Sequence, residues 1–197
     1  NNVTGGTDGI NAVNTGTGAL SITTNGAIDG QGGDGIFARN AEDSGNTLSA
    51  YGYTFIDYNP AGTSLTIEAN GNVKGQDRGI YANNTGTSAL TITSAGDVVG
   101  ETGNGIDAVL GEIYDTAYGT RYFNETGTDL TISANDVTGG GHGIYATKAS
   151  GGALTITTTG KVTGNGTDGS VGFYGAGIKA NVDQSSSGAV TIEANEV

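Results

Sequence analysis

Pairs of apolar residues two positions apart recur along the chain, each pair closed by Gly, Asn or Asp. They read ALSITTNG from Ala19, SLTIEANG from Ser64, ALTITSAG from Ala89, DLTISAND from Asp129, ALTITTTG from Ala153 and AVTIEANE from Ala189. In such a segment Leu90 and Ile92 share one face, and Thr91 and Thr93 share the other, which is the period of a strand. A second short segment follows, centred on a β-branched residue: Val3, Ile28, Val73, Val98, Val137, Val162 and Val197. A third reads Gly-Ile-x-Ala, with its isoleucine at Ile10, Ile36, Ile80, Ile106, Ile144 and Ile178. Bounded by turn residues and too short for helices, all three predict strands.

The second-segment markers are spaced 25, 45, 25, 39, 25 and 35 residues apart. The base period is therefore 25 residues, and every other repeat is longer. One such repeat cannot bury its own apolar face, whereas stacked repeats share a continuous core. Three strands per turn predict an all-β parallel β-helix, a β-solenoid of about six rungs at ~4.8 Å spacing, or about 29 Å of rod. Leu20, Leu65, Leu90, Leu130, Leu154 and Val190 would stack inside, beside Ile22, Ile67, Ile92, Ile132, Ile156 and Ile192. Glycines are expected to supply positive-φ corners.

Residues 1–197 read as one β-helix segment with three inserted loops, at about 39–63, 109–128 and 165–177. The first two leave one corner, two rungs apart, or about 9.6 Å. The third lies at another corner. Of the 13 Phe and Tyr residues, ten fall in these insertions: Tyr51, Tyr53, Phe55, Tyr58, Tyr114, Tyr118, Tyr122, Phe123, Phe173 and Tyr174. Tyrosine offers wide contact area at low entropic cost, so Tyr-rich loops on a rigid scaffold suit binding. The same rings also suit packing of the loops onto the rod, and the alternation of Tyr51, Tyr53 and Phe55 is that of a hairpin strand. Phe37 and Tyr81 hold the outward position of Gly-Ile-x-Ala on adjacent rungs, where they can stack.

Composition narrows the chemistry. The 197 residues include 38 Gly and 29 Thr, one Pro, and no Cys, Met or Trp. Without Cys there is no disulfide, thiolate metal site or Cys nucleophile. A net charge of −13 argues against nucleic acid and anionic lipid as main partners. No apolar run approaches the ~20 residues that span a bilayer as a helix, so this segment is not expected to insert into a membrane. The missing initiator Met and signal peptide, and ends in the same phase without a recognisable cap, predict a segment of a longer solenoid.

GIYANNTGTSALTITSAGDVVG (79–100) and GIYATKASGGALTITTTGKVTG (143–164) resemble repeats of bacterial type V autotransporter passengers. The likeness is to the alphaproteobacterial kind, including the angiogenic-factor passengers of bartonellae. It covers nearly all rungs and stops at the insertions. The resemblance implies a right-handed β-helix, displayed at the cell surface or secreted, with a C-terminal translocator barrel in the parent chain. It implies an adhesin or virulence factor that contacts a host-cell surface protein, matrix or glycan. Alternatives are a released agonist of a host-cell receptor, of a pro-angiogenic, growth-factor-like kind, a structural stalk, and a carbohydrate-active enzyme. The ten candidate contact residues are Phe37, Tyr51, Tyr53, Phe55, Tyr58, Tyr81, Tyr114, Tyr118, Tyr122 and Phe123.

Catalysis finds little support. His142, the one histidine, stands in a run of glycines and reads as a solvated turn residue. No nucleophile elbow accompanies it. Asp97, Asp107, Asp115 and Arg121 are the nearest approach to paired acid–base groups, and Asp at turns is ordinary in solenoids. GGDGIFA does not meet the calcium nonapeptide pattern, and no metal or cofactor is expected. Two outward columns of Ser and Thr start at Ser21 and Thr23, and the second is interrupted by Glu68 and Glu193. Strand propensity accounts for them as well as an ice-binding face does.

Overall fold

The Leu-x-Ile segments at Leu20, Leu65, Leu90 and Leu130 form five-residue strands, and that at Leu154 opens a longer one, because the alternation lets one side face apolar neighbours and the other face water. The computed structural model describes residues 1–40, 47–50, 53–56, 62–115, 120–123, 128–149, 151–166, 175–182 and 188–197. For 47–50, 53–56, 112–115 and 120–123 the strand pairing alone is described. The described residues contain strands and no helix.

Three sheets run along the rod. The first holds the Val-x-Gly strands β1 (Val3–Gly5), β4 (Ile28–Gly30), β9 (Val73–Gly75), β12 (Val98–Gly100) and β17 (Val137–Gly139). The second holds β2 (Ile10–Asn14), β5 (Ile36–Asn40), β10 (Ile80–Asn84), β13 (Ile106–Leu110), β18 (Ile144–Lys148) and β20 (Ile178–Val182). The third holds β3 (Leu20–Thr24), β8 (Leu65–Ala69), β11 (Leu90–Ser94), β16 (Leu130–Ala134) and β21 (Val190–Glu196). The long strand β19 (Leu154–Gly164) passes from the third sheet into the first and joins them. All pairings in the rod are parallel, and each Leu-x-Ile, Val and Ile-x-Ala position meets its counterpart on the next rung. This is the stacked parallel β-helix expected from the repeat.

The core is a set of ladders. Leu65, Leu90 and Leu130, Ile67, Ile92 and Ile132, and Ile36, Ile80 and Ile106 are fully buried. Each such side chain contributes about 1.5–3 kcal/mol relative to exposure. Val190 and Ile192, on the outermost described strand of the third sheet, are exposed. Where β19 pairs with β21 the register slips by one residue between Thr158 and Lys161, which is a bulge in β19.

A polar ladder runs beside the apolar ones. Asn14 Nδ2 donates to Asn40 Oδ1 at 2.7 Å, and Asn40 Nδ2 donates to Asn84 Oδ1 at 3.0 Å. Asn84 Nδ2 also donates to the carbonyls of Thr63, Ser88 and Ala89, so the corner's backbone acceptors are satisfied. Two rungs further on, Lys148 fills the same column, and its ammonium donates to the Gly151 carbonyl. Burial lowers the Lys148 pKa, with Asp129 opposing.

The glycines differ from expectation. Among the described glycines only Gly111 and Gly152 have positive φ, at 78° and 77°. Most of the others are required by close approach instead. A Cβ on Gly105 would lie 2.5 Å from Val137 Cγ1 and 2.7 Å from the Gly143 carbonyl, and the glycine before each Ile-x-Ala meets a β-branched methyl in the same way. Gly105→Ala should therefore overpack the rod and destabilise it by about 1–3 kcal/mol, read as a lower urea midpoint with unchanged circular dichroism.

Two insertions form antiparallel hairpins. Arg39 and Asn40 still belong to β5, and Val109 and Leu110 to β13, so both insertions leave a little later than the Gly-Ile-x-Ala pattern suggests. The first contains β6 (Thr47–Ala50) paired with β7 (Tyr53–Ile56). The second contains β14 (Glu112–Asp115) paired with β15 (Thr120–Phe123). Both leave the same end of the second sheet, with β10 between their parent strands.

Candidate ring and ion-pair face on the second sheet

Alternation sends Phe37, Tyr81, Asp107, Tyr145 and Lys179 outward from five consecutive strands of the second sheet, in direct register. Phe37 and Tyr81 stack as expected, with centroids 5.1 Å apart and planes inclined by 28°. The Arg78 guanidinium carbon lies 4.0 Å from the Tyr81 centroid. Asn83 Nδ2 donates to the Tyr81 hydroxyl at 3.3 Å.

Arg78 is fixed from below. Its Nε and Nη2 donate to the two carboxylate oxygens of Asp34 at 3.0 and 2.9 Å, the bidentate geometry that suits guanidinium to carboxylate. Asp34 is buried, and its Oδ1 also accepts the Arg78 backbone N–H at 3.1 Å. Burial works against the Arg78 charge, but the hydrogen bonds and attraction of Asp34, with Asp107 and Asp77, leave its pKa raised.

Asp107 faces the same guanidinium less closely, with Oδ2 3.8 Å from Nη1, and accepts a hydrogen bond from Asn104 Nδ2 at 3.3 Å. Burial pushes its pKa up to about 6, Arg78 and Asn104 opposing and the neighbouring Asp34 and Asp77 adding to the rise. Asp77 is more exposed and lies 3.8 Å from Arg78 Nε.

Asp34, Arg78 and Asn104 come from one column, the residue before each Gly-Ile: Asp8, Asp34, Arg78, Asn104, His142 and Ala176. Along it, acceptor side chains take the backbone N–H one rung on. Asp34 N–H donates to Asp8 Oδ1 at 2.9 Å, and His142 N–H donates to Asn104 Oδ1 at 2.9 Å. Ala176 N–H donates to His142 Nδ1 at 3.0 Å. His142 also stacks on Tyr145, with centroids 5.5 Å apart. It is thus a fixed member of the ladder, not a merely solvated turn residue. Burial, with the Lys179 charge, lowers its pKa.

The remaining candidates divide. Tyr53 and Phe55 lie on β7, Tyr114 on β14, and Tyr122 and Phe123 on β15. Tyr51, Tyr58 and Tyr118 lie outside the described residues, as do Phe173 and Tyr174. Tyr114 is the register partner of Arg121, and Ile113 that of Tyr122. Asp97 does not join Asp107. It precedes β12 at another corner, where its Oδ1 accepts from Asn135 Nδ2 at 3.3 Å. Asp115 and Arg121 lie on hairpin strands of which the pairing alone is described. Among the described residues no three His, Asp or Glu side chains are grouped to hold a metal ion.

Comparison with known proteins adds no relative: no family model, curated protein or solved structure matches the chain.

Proposed function

We propose that the chain is an interaction module from the passenger of a bacterial autotransporter, displayed at the cell surface or released. On this reading it contacts a host-cell surface protein, matrix or glycan. The parent chain would carry the translocator barrel at its C-terminus. One observation carries the interaction reading: two hairpins leave the same corner, from β5 and β13, on either side of β10 with its ring and ion-pair cluster. A stalk needs only rungs. Two insertions at one corner, holding most of the aromatic residues, fit a contact surface held in register by a rigid rod.

The test uses a connection the fold already contains. Residues 85–89 join β10 to β11 with five residues. Replacing the longer segments 41–64 and 111–129 by that sequence should preserve the strand signature in circular dichroism. Binding to cultured host cells or immobilised matrix should fall about tenfold or more if contact aromatics are lost. Tyr53→Ser with Tyr122→Ser should reproduce part of the loss. Full binding by the hairpin-free rod would sink the loop reading and favour a stalk.

A further inference from the structure

The turns that lead into the second sheet are joined rung to rung by two kinds of bond. A glycine N–H of one rung donates to a carbonyl of the next: Gly35 to Arg78 at 2.9 Å, Gly105 to His142 at 3.0 Å and Gly143 to Ala176 at 3.0 Å. In the other direction a side chain takes the backbone N–H of the next rung. Asp8 takes that of Asp34, Asp34 that of Arg78, Asn104 that of His142, and His142 that of Ala176. The last acceptor differs in kind. The Asn104 amide oxygen accepts whatever the pH, whereas an imidazole nitrogen accepts only while it is unprotonated. Histidine is also the side chain whose ordinary pKa places that change between pH 5 and 8.

The bond fixes the state of the ring. With Nδ1 accepting the Ala176 N–H at 3.0 Å, the neutral imidazole carries its proton on Nε2. A second proton, on Nδ1, would set N–H against N–H. Either the bond is then lost in place, or the ring turns away from its stack on Tyr145. The added charge would also face that of Lys179, whose Nζ lies 5.3 Å from the centroid of the same tyrosine. Ala176 stands two residues before β20, which pairs with β18 alone. Through its N–H and its carbonyl, Ala176 ties the entry of β20 to the turn that opens β18.

We propose that His142 is an acid-sensitive latch on the rod: the neutral imidazole holds the turn that leads into β20, and its protonation releases that turn and loosens β20 from β18. The latch needs no partner and stands apart from the interaction reading above. The groups facing the ring are Asn104 from the preceding turn, Tyr145 on β18 and Lys179 on β20, with Asp107 on β13 beyond Tyr145. Burial and the positive charge of Lys179 both oppose protonation, so the pKa lies below the ordinary 6.5. A base whose pKa is lowered by folding holds its proton more tightly in the unfolded chain. The stabilising contribution is therefore complete above pH 6.5 and is lost as pH falls below it.

The test is NMR on the isotope-labelled full chain at pH 7.5 and 5, reading the His142 ring nitrogens and the exchange protection of the Ala176 amide. Protection at Ala176 should fall about three- to tenfold as the ring gains its second proton, the range of one hydrogen bond. Protection at Ile92, in the buried core, should hold and so report an intact rod. His142→Asn supplies an amide oxygen, as Asn104 does one rung earlier, and His142→Ala supplies no acceptor. Neither variant titrates at this position, so each should protect Ala176 equally at the two pH values, His142→Ala at a lower level than the wild type at pH 7.5. A fall in His142→Asn equal to that of the wild type would assign the effect to another group, Asp107 foremost, whose carboxyl titrates at about 6, and would overturn the proposal. A ring still neutral at pH 5, or one that titrates while Ala176 stays protected, would overturn it as well.

Discussion

Replacing Arg78 by alanine should destabilise the rod by about 3–5 kcal/mol, because it strips a buried carboxylate of its counter-ion. The Asp34 side chain is 4% exposed, and its two oxygens take the Arg78 Nε and Nη2 hydrogen bonds. Of the hydrogen bonds Arg78 gives Asp34, the Arg78→Ala chain keeps only the backbone N–H. The expected signature is specific. Arg78→Lys should recover part of the loss, since an ammonium restores charge but not the planar fork. Asp34→Asn in the Arg78→Ala background should recover more, because position 34 then carries no buried charge. Urea denaturation of the four chains at pH 7.5 measures all of this. A single-variant loss below about 1 kcal/mol, the range of surface ion pairs, would show that Asp34 is not desolvated as its burial implies.

Arg78 also shows where sequence reading stops. The rod is legible because its information is periodic and local. Leu90 and Ile92 alternate with Thr91 and Thr93, and the same alternation returns at Leu65 and Leu130, so period, strand faces and rung register follow from one chain. The Phe37–Tyr81 stack is legible for the same reason, since both occupy one repeat position. The ion pair is not. Arg78 and Asp34 are 44 residues apart across an insertion, and their shared column reads Asp, Asp, Arg, Asn, His, Ala. No common side-chain type marks it. Its signal is functional, an acceptor for the next rung's backbone N–H, and emerges only when the repeats are aligned and read downwards. His142 misleads on that account: beside glycines it looks solvated, yet its Nδ1 holds the Ala176 N–H. The glycines mislead in another way. Turn composition suggests positive φ, whereas the limiting factor at Gly105 is the Val137 methyl on the next rung.

Replacing Asp107 by asparagine should stabilise the same rod, and do so only at neutral and higher pH. Its carboxyl has a pKa of about 6 in the folded chain against 3.8 for a free side chain, chiefly because it is buried with too little compensating positive charge. A raised folded-state pKa means the folded chain holds the proton more tightly than the unfolded one. Its stabilising contribution is therefore complete below pH ~4 and is lost as pH rises through about 6. A rise of that size corresponds to about 2–3 kcal/mol at pH 7.5. Asparagine never ionises, keeps an oxygen for the Asn104 amide, and leaves Arg78 on Asp34. The melting temperature of Asp107→Asn should thus exceed that of the wild type by about 4–12 °C at pH 7.5, for a chain of this size. The two curves should converge by about pH 4. This is the reverse of Arg78→Ala, although the two residues face one another at 3.8 Å. The contrast separates their roles: Arg78 neutralises a carboxylate the fold has buried, whereas Asp107 is a carboxylate in surplus. A melting temperature unchanged or lowered by Asp107→Asn at pH 7.5 would show that Arg78 already satisfies both acids.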